Sequence, residues 1–380
     1  MRQLSFLIAA LVAGNGALAA QAGRDPQVPQ AARALHERLL VLDSHLDTPM
    51  RLDQADWDIR DRHETSAYSQ VDLPRMIEGG LDGGMWVIYT PQRGRDAAAQ
   101  RVARDHGLKR LLQLHRMVAA HPDLFELALT SEDARRIAAG GKRVVFISME
   151  NAAPLAADPS LLQFYFDQGL RVLGLTHTAN NEFGDSANTP PEWNGLSPAG
   201  RALVAEANRL GIVLDHSHAS DAVFDQLLEL SKAPILLSHT SADAVYDHPR
   251  NIDDERIRRL AAKGGVIQVN SLGAYLKDTT SSPAGFEDYM RHVLHIIRVA
   301  GPEHVGFGAD WDGGGGVEGF EDVTRLPRVT ARLLQEGFTG PQIAAMWGGN
   351  LLRLVDEAQR VAREMAATAE AAQPSSMPTP

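Results

Sequence analysis

The chain has 380 residues and a formal net charge of −11, with 44% hydrophobic residues, 22% charged residues and no cysteine. An acidic balance of this kind argues against nucleic acid as a partner. The absence of cysteine excludes disulfides, thiolate metal sites, a cysteine nucleophile and a lipid anchor on an N-terminal cysteine.

The N-terminus reads as an address. Arg2, an apolar stretch from Leu4 to Val12 and the small-residue run GALAAQA have the layout of a secretory signal peptide, expected over residues 1–22. The apolar stretch is too short to span a bilayer, and no later segment reads as transmembrane. The mature protein is therefore expected to be exported, periplasmic or secreted, with no membrane anchor. At the other end EAAQPSSMPTP is polar and proline-rich, and a disordered tail is expected over 367–380.

Between them lie eight short apolar runs, at 39–45, 83–90, 142–150, 171–178, 211–218, 233–240, 264–271 and 304–312. Several are near-continuously apolar, as strands covered on both faces are. Amphipathic stretches with helical spacing separate most of them, as at 97–121, 197–210, 221–231 and 253–264. Ser197 and Pro198 suit a helix start. Alternating strand and helix predicts an α/β fold with a parallel sheet, and eight units predict a (β/α)8 TIM-like barrel over 23–366. No glycine-rich phosphate fingerprint follows the first run, which disfavours a dinucleotide fold.

A barrel of this type carries its chemistry at the C-terminal ends of its strands. Those ends hold His45 and Asp47, Glu150, His177, His216 and His218, His239, and Asp310 and Asp312. Asp43, His45 and Asp47 alternate and are expected to share one strand face. Imidazoles and carboxylates crowded into one mouth without a cation would meet a heavy desolvation cost. Neutral imidazole and carboxylate are natural zinc ligands. His45 and Asp47 are thus expected on one ion, His239 with His218 or His216 on a second, and Glu150 bridging both. A water between two such ions would drop in pKa toward neutrality, and Asp310 could hold and deprotonate it. Asp43 reads equally as an acceptor orienting a ligand and as a structural aspartate. Asp312 reads as structural or supporting.

These residues resemble the membrane (renal) dipeptidase family of zinc peptidases in the amidohydrolase superfamily. The resemblance runs from about residue 35 to 360, through LDSHLDTP, FISMEN, LTHTANN, GIVLDHSHAS, LLSHTSADAVYDHPRNIDDE and HVGFGADWDG. It implies a dipeptidase with two Zn2+ per chain and a metal-bridging hydroxide. The ligands would be His45, Asp47, Glu150, His218 and His239. His177 would stabilise the oxyanion, Arg250 would bind the substrate carboxylate, and Asp310 would touch the water and the substrate amine. The resemblance favours His218 over His216 as ligand. It also implies acceptance of a D-residue at the C-terminal position, and leaves a homodimer open. HLD stands where many relatives have H-N-D, and His216 where an apolar residue is common. A lactonase or N-acyl amino acid deacylase of the same superfamily is the second reading, and a non-catalytic binding protein the third. A surface salt bridge is the alternative role for Arg250.

Overall fold

The computed structural model describes residues 25–371, so the expected signal peptide lies outside the described residues. The strands, in chain order, are β1 (Leu42–Leu46), β2 (Gly83–Tyr89), β3 (Phe125–Leu127), β4 (Arg143–Glu150), β5 (Leu170–Gly174), β6 (Val213–Asp215), β7 (Leu236–Ala242), β8 (Asn251–Ile252), β9 (Val266–Val269) and β10 (Val305–Phe307). Eight of them fall in the eight apolar runs. They pair in parallel in the order β1-β2-β4-β5-β6-β7-β9-β10, giving a nearly closed barrel flanked by helices. Two short strands lie off this circuit: β3 extends the sheet beside β4, and β8 pairs with the end of β7.

The helices begin where the sequence offers caps. Asp96, Ser197, Ser220 and Asp253 accept backbone N–H groups at the starts of Ala97–Ala120, Pro198–Leu210, Asp221–Leu230 and Asp254–Ala262. Each cap contributes about 1 kcal/mol. Gly211, at φ 79°, stops the second of these and lets the chain drop into β6. The last helix, Asn350–Ala371, buries Leu351, Leu354, Val355 and Ala358 in one cluster with Leu42, Val172, Val213, Leu236 and Val266. Those partners stand toward the starts of their strands, so this helix covers the N-terminal end of the barrel. It continues to Ala371, past residue 366 where a tail was expected; the rest of that expected tail, 372–380, lies outside the described residues. MAATAEA is rich in strong helix formers, so nothing local stops it there.

The circuit is thin at two seams. Between β1 and β10 the backbone contact reduces to a bridge between Leu46 and Trp311, with Asp47 N donating to Trp311 O at 2.9 Å. Below it a side chain takes over: Asp43 accepts Ala309 N at 3.1 Å and His45 N at 2.8 Å. Between β6 and β7 the one registered pair is Asp215 with Leu236. There Asp215 accepts Ser217 N at 3.0 Å and Ser238 N at 2.9 Å. In both places a buried carboxylate supplies the acceptor that a neighbouring strand would otherwise present.

The simple alternation expected for β1 does not hold. Its register against β2 slips between Asp43 and Leu46, and Asp47 lies beyond the strand at φ −79°, ψ 4°. An irregularity of this kind re-aims side chains. Asp43 turns into the seam, Ser44 donates across the barrel to Ser238 O, and only His45 and Asp47 reach the mouth together.

Candidate metal centre

Glu150 ends β4 and occupies the middle of the mouth. Its Oε1 lies 2.9 Å from His218 Nε2 and 3.5 Å from His239 Nε2. Its Oε2 lies 3.7 Å from His45 Nε2. His45 Nε2 is in turn 3.4 Å from Asp47 Oδ2 and 3.9 Å from Asp310 Oδ1. The potential ligand atoms of His45, Asp47 and Asp310 all lie within 4.8 Å of one another, as do those of His45, Glu150 and His239, and those of Glu150, His177 and His218. The structure thus assembles a carboxylate-rich cluster at the β1/β10 seam and an imidazole-rich cluster at the β6/β7 seam, with Glu150 common to both.

The local electrostatics ask for a cation. Burial opposes charge on His45, yet the carboxylates of Glu150, Asp47 and Asp310 outweigh it and push the imidazole up to about 10. Burial raises Glu150 well above the usual carboxylate range; His45 pulls it down, while Asp47 and Asp310 push it further up. Burial likewise raises Asp310 to about 6, against the pull of His45. On the other side burial, with Arg250 and the neighbouring imidazoles, holds His218 and His239 well below their ordinary value and hence neutral. Neutral imidazoles beside an excess of buried carboxylate that draws in positive charge form a ready ligand set. The unpaired atoms agree: His45 Nε2, Asp47 Oδ1 and Glu150 Oε1 are buried without a hydrogen-bond partner. His218 Nε2 and His239 Nε2 face each other at 2.8 Å. A Cβ at Gly313 would overlap Asp47 Oδ2 and Asp310 Oδ1, so glycine keeps that space clear. The residues present fit one or two zinc ions.

Each of the other expected residues has a definite place. His177 is half-buried, three residues past β5, with its ring 4.3 Å from that of His218 and 5.0 Å from that of Tyr89. Burial and Arg250 lower it to about 4, so it is neutral, and its Nδ1 is unpaired. Arg250 is only 4% exposed, donates to His239 O at 3.2 Å and takes part in none of the ion pairs among the described residues; its Nε has no partner. That placement rules out a surface salt bridge. His216 points away from the clusters: its Nε2 lies 3.2 Å from Ser220 O and its ring packs edge-on against Phe224. Asp312 accepts Gln70 N, while its own N–H donates to Gln70 Oε1 at 2.8 Å, and so it ties two loops together beside the site.

Backbone strain collects here too. Of the five non-glycine residues at positive φ among the described residues, Asn151, His218, Asp310 and Asp312 stand at or next to the clusters. For His218, at φ 73°, the conformation costs about 1–3 kcal/mol. It carries the ring into the mouth while His216, two residues earlier, goes outward. The mouth also holds residues not singled out from the sequence. These are Tyr89, Tyr275, whose ring centroid is 5.4 Å from the Arg250 guanidinium carbon, Gly313, and the pair Asp215 and Ser238. Only Gly313 left a trace in the sequence, as the first of four glycines after Asp312.

A barrel whose mouth gathers two ligand clusters around one shared carboxylate defines a metal-dependent hydrolase. The chain belongs to the membrane dipeptidase family, peptidase family M19, whose profile matches residues 29–369. It is 33% identical over 310 residues to dipeptidase verJ of Clonostachys rogersoniana, covering 80% of this chain and 79% of that protein. Among solved structures it is similar to the probable dipeptidase PvdM of Pseudomonas aeruginosa, with a TM-score of 0.82 and 28% identity over 87% of this chain and 98% of that one. It is also similar to a metallo peptidase of Rhodobacter sphaeroides liganded with a phosphinate mimic of the dipeptide L-Ala-D-Ala, with a TM-score of 0.76 and 30% identity over 84% and 99%. Among the described residues no helix is long and apolar enough to cross a membrane.

Proposed function

We propose that this protein is a dipeptidase that works with two zinc ions, one held by His45, Asp47 and Glu150, the other by Glu150, His218 and His239. The observation that carries the reading is Glu150, with one carboxylate oxygen toward each cluster. Bound zinc supplies Lewis acidity toward the scissile carbonyl and acidifies the attacking water. The protein's own groups do the rest. Arg250, buried and without a carboxylate of its own, offers a planar fork to the substrate's C-terminal carboxylate. Asp310 faces the substrate amine and takes the proton of the attacking water as the C–O bond forms. It then returns that proton to the leaving nitrogen as the C–N bond breaks. Neutral His177 donates a hydrogen bond to the carbonyl oxygen as negative charge grows there. Binding both ends of the substrate limits it to two residues.

The phosphinate-bound relative supports a dipeptide with a C-terminal D-residue as substrate. The N-terminal sequence supports export, which N-terminal sequencing of the protein recovered from cell fractions will test. A homodimer in solution is a further proposal, for light scattering to decide. The main test is a panel of L,L- and L,D-dipeptides, N-acyl amino acids and lactones given to the zinc-loaded protein. Turnover of dipeptides first is expected; turnover confined to acyl amino acids or lactones would overturn the reading. Arg250→Ala should raise KM for dipeptides about 10- to 100-fold with a smaller change in kcat, the scale of a lost charged hydrogen bond. An unchanged KM removes Arg250 from the binding site.

A further inference from the structure

The imidazoles that face Glu150 are not held alike. His218 Nδ1 is buried with no partner. His239 Nδ1 lies 2.8 Å from Ser238 Oγ, and Ser238 Oγ donates to Asp215 Oδ2. Asp215 also accepts Ser238 N and Ser217 N on Oδ1. Three donors converge on this carboxylate, which is only 5% exposed.

The donor count fixes a proton. An ionised carboxylate only accepts, so the single hydroxyl hydrogen of Ser238 goes to Asp215. Ser238 Oγ can then only accept from His239, and Nδ1 must be the N–H nitrogen. The lone pair is left on Nε2, the nitrogen that lies 3.5 Å from Glu150 Oε1 and 2.8 Å from His218 Nε2. A hydrogen bond on the outer nitrogen of a ligating histidine fixes its tautomer and ring direction. We infer that Asp215 and Ser238 are positioning residues that set the tautomer of His239, and that retention of the ion on the imidazole side of the mouth depends on them. This rests on the two-zinc reading above and adds to it an unequal dependence of the two ions on a relay found at one seam.

Asp215→Asn is the decisive substitution because it changes protons and almost nothing else. The amide keeps an acceptor oxygen for Ser217 N and Ser238 N but presents N–H to Ser238 Oγ. The hydroxyl hydrogen must then turn to one of its two other acceptors, His239 Nδ1 at 2.8 Å or Ser217 Oγ at 3.3 Å; the nearer one takes it, which places the ring proton on Nε2, where the ion should bind. Ser238→Ala only deletes the bond, so its effect should be milder. Zinc content after dialysis and chelator competition on the full chain would give both affinities, with circular dichroism and thermal melting to check folding. The wild type should hold two zincs. Asp215→Asn should keep one at wild-type affinity and bind the second about 10- to 100-fold more weakly, and Ser238→Ala should weaken the second about tenfold. Wild-type affinity for both ions in folded Asp215→Asn overturns the inference. If that variant does not fold, Ser238→Ala decides, and an unchanged second affinity overturns it. A wild type that binds no zinc overturns the parent reading instead.

Discussion

The two seams of the barrel make an instructive pair. At β1/β10, Asp43 reaches across to Ala309 N; at β6/β7, Asp215 reaches across to Ser238 N. The device is the same, yet the groups above it are opposite in character. The first seam carries His45, Asp47 and Asp310; against burial, Glu150 together with these two carboxylates pushes His45 up to about 10. The second carries His218 and His239, pressed well below their ordinary value by burial and by Arg250. Where strands part, a short carboxylate can replace a backbone acceptor and leave the mouth free for ligand side chains. One half of this centre demands positive charge because it has too many anions, and the other is ready for a cation because its imidazoles are neutral. Glu150 connects the halves, which makes the comparison open to experiment.

The largest effect should come from breaking both halves at once. Glu150→Gln removes the one carboxylate they share. Zinc content should fall below the two ions proposed above, and dipeptide hydrolysis should drop by about 10³-fold or more, since metal charge stabilisation amounts to several kcal/mol. Retained zinc with near wild-type turnover would show that Glu150 bridges nothing.

A smaller step separates the halves. In Gly313→Ala the new methyl group intrudes first on Asp47 and Asp310, both at the first seam. About one zinc should be lost, with activity down about 10²-fold, the scale of an ångström-sized misplacement of catalytic groups. Metal analysis beside a thermal melt checks this, and two tightly held zincs in the variant would refute it.

The mildest test uses pH alone. Burial, helped by Asp47 and opposed by His45 and Arg250, raises Asp310 to about 6. A base works only when deprotonated, so kcat/KM should fall as pH drops through the folded pKa. Bound dications can only lower that value, because they favour the carboxylate. The acid limb should therefore lie at or below about 6 when measured at constant zinc. A limb well above 6 assigns the proton to some other group and weakens the role given to Asp310.

The sequence by itself determined most of the scaffold and which chemistry-bearing residues gather at its mouth. Apolar runs and capped amphipathic stretches are local signals, and all eight runs became barrel strands. Placing His45, Asp47, Glu150, His218, His239 and Asp310 at the ends of those runs was enough to foresee a common mouth, because a barrel brings strand ends together whatever their separation along the chain. Tertiary structure alone decided the rest. His216 and His218 stand two apart on paper, and only the left-handed turn at His218, past the end of β6, sends one inward and the other to Phe224. Asp43 seemed to share a face with His45 until the register slip turned it into the seam. Arg250 sits in a proline-flanked loop that looks exposed, and β8 pairing with β7 draws it under the mouth. Asp215 and Ser238 gave no sign, since their task depends on β6 and β7 lying side by side. Periodicity reports what a residue's neighbours in the chain impose; direction at an irregular strand end is imposed by partners far away in sequence, and appears only when the barrel closes.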